Sequence, residues 1–288
     1  MVCWVLEWLA LGQGDRVNLR RLLGALLALV GSGCDPPPPA SVHDLLSAAP
    51  GTGTVVSLPG VVVVARLATS SFGELWVQDQ GGGPRSGILV YCDYGGATPT
   101  CASSRPVYAG FRQGHVVDVV GTFERRRPSG ASDQFVQYRL INPVITPVGA
   151  TVAVVATPAT AEQVAAEQFP VNPFKGAYVE VAGPLAVADV APAEFEADCG
   201  VGSSTLRYTG FLASGPGGAT VAVGLNLYQT VNACIPDKCP GGGRSCSAPV
   251  ALGQTWSVIR GVVEPHYEER SGRTFLRLSP TDDGDLAP

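Results

Sequence analysis

From Thr54 onward the apolar positions come in short runs, cut at regular intervals by Gly, Pro and polar clusters. Residues 54–67 form one such run, with Val61, Val62, Val63 and Val64 at its centre. Over Phe72–Asp79 the pattern alternates. Leu75 and Val77 share one face, while Glu74, Trp76 and Gln78 share the other. A period of two predicts a strand with one face turned inward. The Gly-rich stretch 80–85 predicts a turn, and Ser86–Tyr91 the next strand. His115–Phe123 follows a turn at Gly114, Arg125–Gln134 reads as a polar loop, and Phe135–Val148 closes the unit. Five strands, with a longer insertion between the third and fourth, fit the plan of an OB-fold, a partly open Greek-key barrel.

The order then recurs. Residues 176–188 are β-rich, and Leu206–Ala213 with Thr220–Thr230 predict a hairpin around a Gly-rich turn. Gly253–Pro265 and Arg273–Pro280 complete the set. The segment from Gly114 to Gly121 matches that from Gly253 to Gly261: a turn glycine, an alternating strand, then a glycine where the strand can bend. Between the units, Thr160–Gln168 is rich in Ala, Glu and Gln and predicts a helix. The expected class is therefore all-β: two tandem OB-like five-stranded Greek-key barrels with one short linking helix. Their expected bounds are 54–150 and 176–288, joined by a linker over 151–175.

The N-terminal stretch of the pattern differs. Arg20 and Arg21 precede a short apolar run, Leu22–Val30, and then Gly31, Ser32, Gly33 and Cys34. A basic segment, a short apolar segment and small residues describe an export signal. The Cys after small residues resembles a bacterial lipobox, which implies lipidation of Cys34 and a mature chain that starts there. Gly31 departs from that pattern, in which Leu is preferred. Residues 1–16 precede a signal of ordinary length and are read as an over-extended start, with translation beginning at Val17. Asp35 to Pro39 is proline-rich and semi-rigid, so 35–53 is expected to be a tether between anchor and folded body. No apolar run reaches the roughly 18 residues of a spanning helix. The expected location is the bacterial cell envelope, on the periplasmic side or the cell surface.

Composition narrows the chemistry. Hydrophobic residues make up 45% of the 288 and charged residues 15%, enough apolar material for a core. The 19 Lys+Arg against 24 Asp+Glu, with only Lys175 and Lys238 as lysines, exclude a nucleic-acid protein steered by overall charge. Setting aside Cys3 and Cys34, six cysteines are left of eight: Cys92, Cys101, Cys199, Cys234, Cys239 and Cys246. An even count in an exported chain reads as disulfides. Cys92 and Cys101 enclose a turn-rich loop. The other four allow three pairings, and proximity favours Cys239–Cys246 with Cys199–Cys234. Their spacing is too wide for the paired motifs of a four-thiolate zinc site, so no metal or other cofactor is expected.

Phe72 to Asp79, Gly87 to Tyr91 and the Gly114–Gly121 strand together resemble the OB-fold repeats attached to bacterial extracellular nucleases, the YhcR type. Similar tandem repeats occur in lipoproteins of myxobacteria-like organisms. The likeness covers most of 54–188, including Phe174 to Val181. The second unit departs from it, with no Gln-Asp turn and four additional cysteines. The resemblance implies an OB-fold and a nucleic-acid or cell-surface role. It brings no catalytic residues, because the nuclease domain is absent.

No nucleophile elbow, metalloprotease motif or phosphate loop is present. His43, His115 and His266 lie in different contexts; His115 opens a strand and is read as structural, His266 as an exposed hairpin end, and 281–285 as a solvated tail. OB-folds commonly bind ligand across their second and third strands. With Leu75, Val77, Ile88 and Val90 inward, Trp76 and Tyr91 point outward there, beside Arg125, Arg126 and Arg127. Aromatic stacking plus Arg is how OB-folds hold single strands. The competing reading packs Trp76 under the second barrel or the N-terminal arm and leaves the three Arg solvating a hairpin tip. The expectation is a non-enzymatic binding or scaffolding protein with an envelope protein or glycan as partner. The alternative is binding of single-stranded nucleic acid or polysaccharide through the first barrel.

Overall fold

The structure is a computed structural model. It describes residues 40–69, 71–95, 105–127, 136–165, 172–198, 206–227, 233–235, 248–268 and 272–288. These fall in one compact unit, which begins at Pro39. Cys34, the signal region and the proline run lie outside the described residues, as do Cys101, Cys199, Cys239 and Cys246.

The chain is mostly β, with two principal sheets. The first holds β1 (Val55–Ala68), β2 (Phe72–Gln78), β3 (Gly87–Asp93), β4 (His115–Arg126) and β5 (Gln137–Thr151). They close in the order β1-β2-β3-β5-β4. All neighbours are antiparallel except β3 and β5, which run parallel with Val90 opposite Leu140. The alternation read from the sequence decides what fills this barrel. Leu75, Val77, Ile88 and Val90 are buried inside it with Leu58, Val117, Val119, Phe123 and Leu140. β4 continues three residues beyond the expected Phe123. Arg125 and Arg126 are thus the end of a strand, opposite Tyr138 and Gln137, and not part of a loop.

Residues 40–53 are not free tether. Ser41 caps α1 (Val42–Ala48) by accepting from the backbone N–H of Asp44 at 2.9 Å, which supplies a partner for an otherwise orphaned N–H. Val42 and Leu45 bury themselves in the barrel core. Asp79, just after β2, accepts from the N–H groups of Val42 and His43 and fixes the helix start. The short helix α2 (Arg105–Gly110) places Tyr108 in the same core.

The second sheet has seven strands. They are β6 (Thr157–Ala159), β7 (Tyr178–Asp189), β10 (Gly210–Ser214), β11 (Thr220–Gly224), β14 (Thr255–Glu268), β15 (Arg273–Ser279) and β16 (Leu286–Ala287). Its order is β16-β14-β15-β11-β10-β7-β6, with a further β14–β7 pairing. Through that pairing β7, β10, β11, β15 and β14 form a closed circuit. The β11–β15 step is parallel and the others antiparallel, as at β3–β5 in the first sheet. Val179, Val181, Phe211, Val223, Ile259, Val263 and Leu276 belong to its core. Two small pairs lie outside it: β8 (Glu196–Asp198) with β9 (Leu206–Tyr208), and β12 (Ala233–Cys234) with β13 (Ala248–Pro249).

Two expectations about local structure need correction. Residues 161–164 form a turn, not the start of a helix. Thr160 and Gln163 bond each other through both backbone and side chains, which closes one turn without propagating it. The segment 281–285 is not a solvated tail. Asp285 is buried and accepts from the N–H and hydroxyl of Thr281 at 2.7 and 2.8 Å and from the Tyr178 hydroxyl.

Candidate binding site at the junction of the two sheets

The outward face of β2 carries Glu74, Trp76 and Gln78, as the alternation predicts, and each meets the second sheet or its approach. Gln78 is fully buried. Its amide donates to the Val155 carbonyl at 2.8 Å and accepts from the Tyr178 N–H at 3.2 Å. Trp76 is only 2% exposed. It sits in an apolar cluster with Val64, Ala65 and Leu89 of the first barrel and Tyr178, Leu227 and Val262 from beyond it. Its indole Nε1 is buried and has no hydrogen-bond partner among the described residues. Trp76 is therefore not an open stacking platform; the second unit covers it.

Glu74, on the same face, lies among charges. Burial first, and the nearby Glu264 second, push its carboxyl up to about 7, against the opposing pull of Arg277, Arg126 and Arg139. Glu264 is itself buried and accepts from Arg277 Nε at 2.8 Å and Ser279 Oγ at 2.6 Å. Tyr91 is half-buried, with the Arg139 guanidinium 4.4 Å above its ring. Arg139 also pairs with Glu124. Tyr91 thus faces outward as expected, but a cation of the chain occupies its face.

His266 is not an exposed hairpin end. It lies within β14, packed against Phe275 and Phe195. Burial and the nearby Arg277 lower it to about 2, so it stays neutral. His115 opens β4, and its Nδ1 accepts from the Arg112 N–H at 3.3 Å. Cys92 is fully buried on β3, and no described cysteine is a free thiol.

The two sheets approach closely at Gly87 and Gly176. A Cβ on Gly87 would stand 1.9 Å from the Gly176 carbonyl oxygen, and one on Gly176 would stand 2.3 Å from that of Gly87. No side chain fits at either position without moving the sheets apart. Beside this contact the Arg85 N–H donates to the Pro173 carbonyl at 2.6 Å. Arg85 has φ +59, a left-handed conformation that favours Gly and costs an Arg about 1 kcal/mol or more.

A cavity of about 270 Å³ opens here, lined by Leu46 and Ser47 of α1, Arg85, Tyr138 of β5, and Asn172, Pro173 and Lys175. A second, much smaller pocket of about 20 Å³ shares Leu46, Tyr138 and Lys175 with it and is lined also by Trp76, Gly87, Gln137, Gly176 and Pro265. Burial pulls the Lys175 ammonium down to about 8. The Arg125 guanidinium lies 5.9 Å from the centre of the Tyr138 ring. No acidic side chain lines either pocket among the described residues. Of the predicted cluster Trp76, Tyr91, Arg125, Arg126 and Arg127, none lines the larger cavity; Trp76 lines the small pocket beside it, and Arg125 meets its wall through Tyr138. The three Arg side chains are exposed at the end of β4. Sequence reasoning missed Arg85 and Lys175, which no motif marks. The available signal was a Pro-Arg pair in a Gly-rich turn and one of only two lysines in the chain.

No protein-family model and no curated protein matches the chain. Among solved structures, an aspartyl-tRNA synthetase-like chain from Leishmania major Friedlin aligns over 53% of this chain and 30% of its own length. The identity is 12% and the TM-score 0.27, a likeness too slight to carry an argument. This chain spans less than a third of that one.

Proposed function

We propose that the protein is an exported, lipid-anchored, non-enzymatic binding or scaffolding component of the bacterial cell envelope, built from two OB-type barrels in tandem and held to the membrane through Cys34. The OB assignment draws support from the shared circuit of pairings, each with one parallel step between its third and fifth strands. The tandem envelope repeats that 54–188 resembles fit the same reading. One observation carries the scaffolding role: the second sheet covers the strand face on which OB modules commonly bind ligand. A pair of barrels that spends that face on internal packing works as one rigid body on a tether.

The test is fractionation of cells that express the full chain. Cys34→Ala should move the mature protein from the membrane to the soluble fraction, because the lipid supplies the membrane affinity. Retention of the variant in the membrane would refute the anchor. Envelope partners would then be sought by crosslinking the wild-type protein in place. The exposed trio Arg125, Arg126 and Arg127 favours one second reading, weak binding of an anionic polymer such as single-stranded nucleic acid. Such binding would collapse with salt, whereas a protein or neutral glycan partner would be held at high salt.

A further inference from the structure

We propose that the cavity between α1, the β2–β3 turn and the approach to β7 binds a single-ring organic molecule carrying one anionic group, a phosphate or a carboxylate. The cavity and its side chains carry this inference, not the lipid anchor, so either can fail without the other. Three independent features of the cavity agree.

The first is charge. Arg85 and Lys175 reach the cavity from different elements, and no acidic side chain lines it among the described residues. Each cation stands where it costs the fold something. Arg85 occupies a backbone conformation suited to Gly. Lys175 is half-buried, and that burial pulls its ammonium down. An arginine fork and a lysine point charge are the usual pair for phosphate or carboxylate.

The second is a buried donor at the cavity's edge. Trp76 lines a small pocket that shares Leu46, Tyr138 and Lys175 with the cavity, and its indole N–H is buried without an acceptor among the described residues. Such a group is costly while it stays unpaired, and a ligand that opens the small pocket would bring an oxygen to it.

The third is shape. Leu46, Pro173 and Tyr138 supply apolar and aromatic walls, and Asn172 and Ser47 supply polar edges. A volume of about 270 Å³ falls just below the range of sites for drug-sized ligands, which suits one ring and its charged group.

The probes are phenyl phosphate and benzoate, titrated calorimetrically into the mature full-length chain at low salt, with benzyl alcohol as the uncharged control. At least one anion should bind saturably with one site, and the control should not. Arg85→Gly and Lys175→Met should each weaken binding at least tenfold. Gly accepts the backbone at position 85 and Met keeps the apolar stem at 175, and circular dichroism checks that both variants fold. The preferred anion identifies the group. A second readout needs no substitution at a cation. In a ¹H–¹⁵N spectrum, the Trp76 indole signal should move on titration, while that of Trp256, also buried without a partner, should stay. The inference falls if neither anion binds, if both variants bind as well as wild type, or if the Trp76 signal does not move.

Discussion

Truncation of Trp76 separates a covered residue from an exposed one by a wide margin. The side chain is 2% exposed and packed among Val64, Ala65, Leu89, Tyr178, Leu227 and Val262. A tryptophan buries roughly 200 Å², which at about 25 cal/mol per Å² is about 5 kcal/mol of transfer free energy. The unpartnered indole N–H offsets about 1–3 kcal/mol of that in the native state. Trp76→Ala should therefore cost about 2–4 kcal/mol, which overlaps the usual range for deleting a buried aromatic. Trp76→Phe keeps most of the area and removes the orphaned donor, so it should cost about 1 kcal/mol. The assay is urea denaturation of the mature chain followed by far-ultraviolet circular dichroism, comparing midpoints at constant slope. A change below about 0.5 kcal/mol, the size expected at an exposed surface position, would show that the second sheet does not cover Trp76.

Three further outcomes follow from the same geometry. The Glu74 carboxyl is raised to about 7, mainly by burial and then by Glu264. The folded state therefore holds its proton more tightly than the unfolded chain, and this contribution, full below about pH 4.5, is lost as pH rises through about 7. Glu74→Gln should then stabilise the protein at pH 8 by about 1–2 kcal/mol, screening included, and change little at pH 4.5; equal effects at both pH values would contradict the burial. Ala49 ends α1 in the left-handed region with φ 43, so Ala49→Gly should raise stability by about 1 kcal/mol, and a loss would refute the cap geometry. Mass spectrometry of the purified, non-reduced chain should find Cys92 linked to Cys101, a loop of about ten residues whose closure is worth about 2–3 kcal/mol; an alkylatable Cys92 would overturn the pairing.

Much of the first barrel could be read from alternation alone. Leu75, Val77, Ile88 and Val90 face inward because a period of two leaves them no other common side. The same alternation turns Glu74, Trp76 and Gln78 outward. It carries no information on what covers an outward face, because that depends on where residues distant in sequence dock. Here the docking contact is made by Gly87 and Gly176, which have no side chain to leave a pattern. The helix α1 lay hidden behind the proline run, although Ser41 and Asp44 already had the spacing of a helix cap. Arg85 and Lys175 come together across ninety residues of sequence, a distance over which local pattern says nothing.

Scanning calorimetry of the mature full-length chain tests the central claim, that the two sheets form one body, most directly. Because Trp76, Gln78 and the Gly87–Gly176 contact tie them together, neither should unfold while the other stays intact. The account requires a single endotherm whose calorimetric and van't Hoff enthalpies agree, and one that Trp76→Ala moves as a whole to lower temperature. Two separated endotherms, only one of which responds to Trp76→Ala, would contradict it.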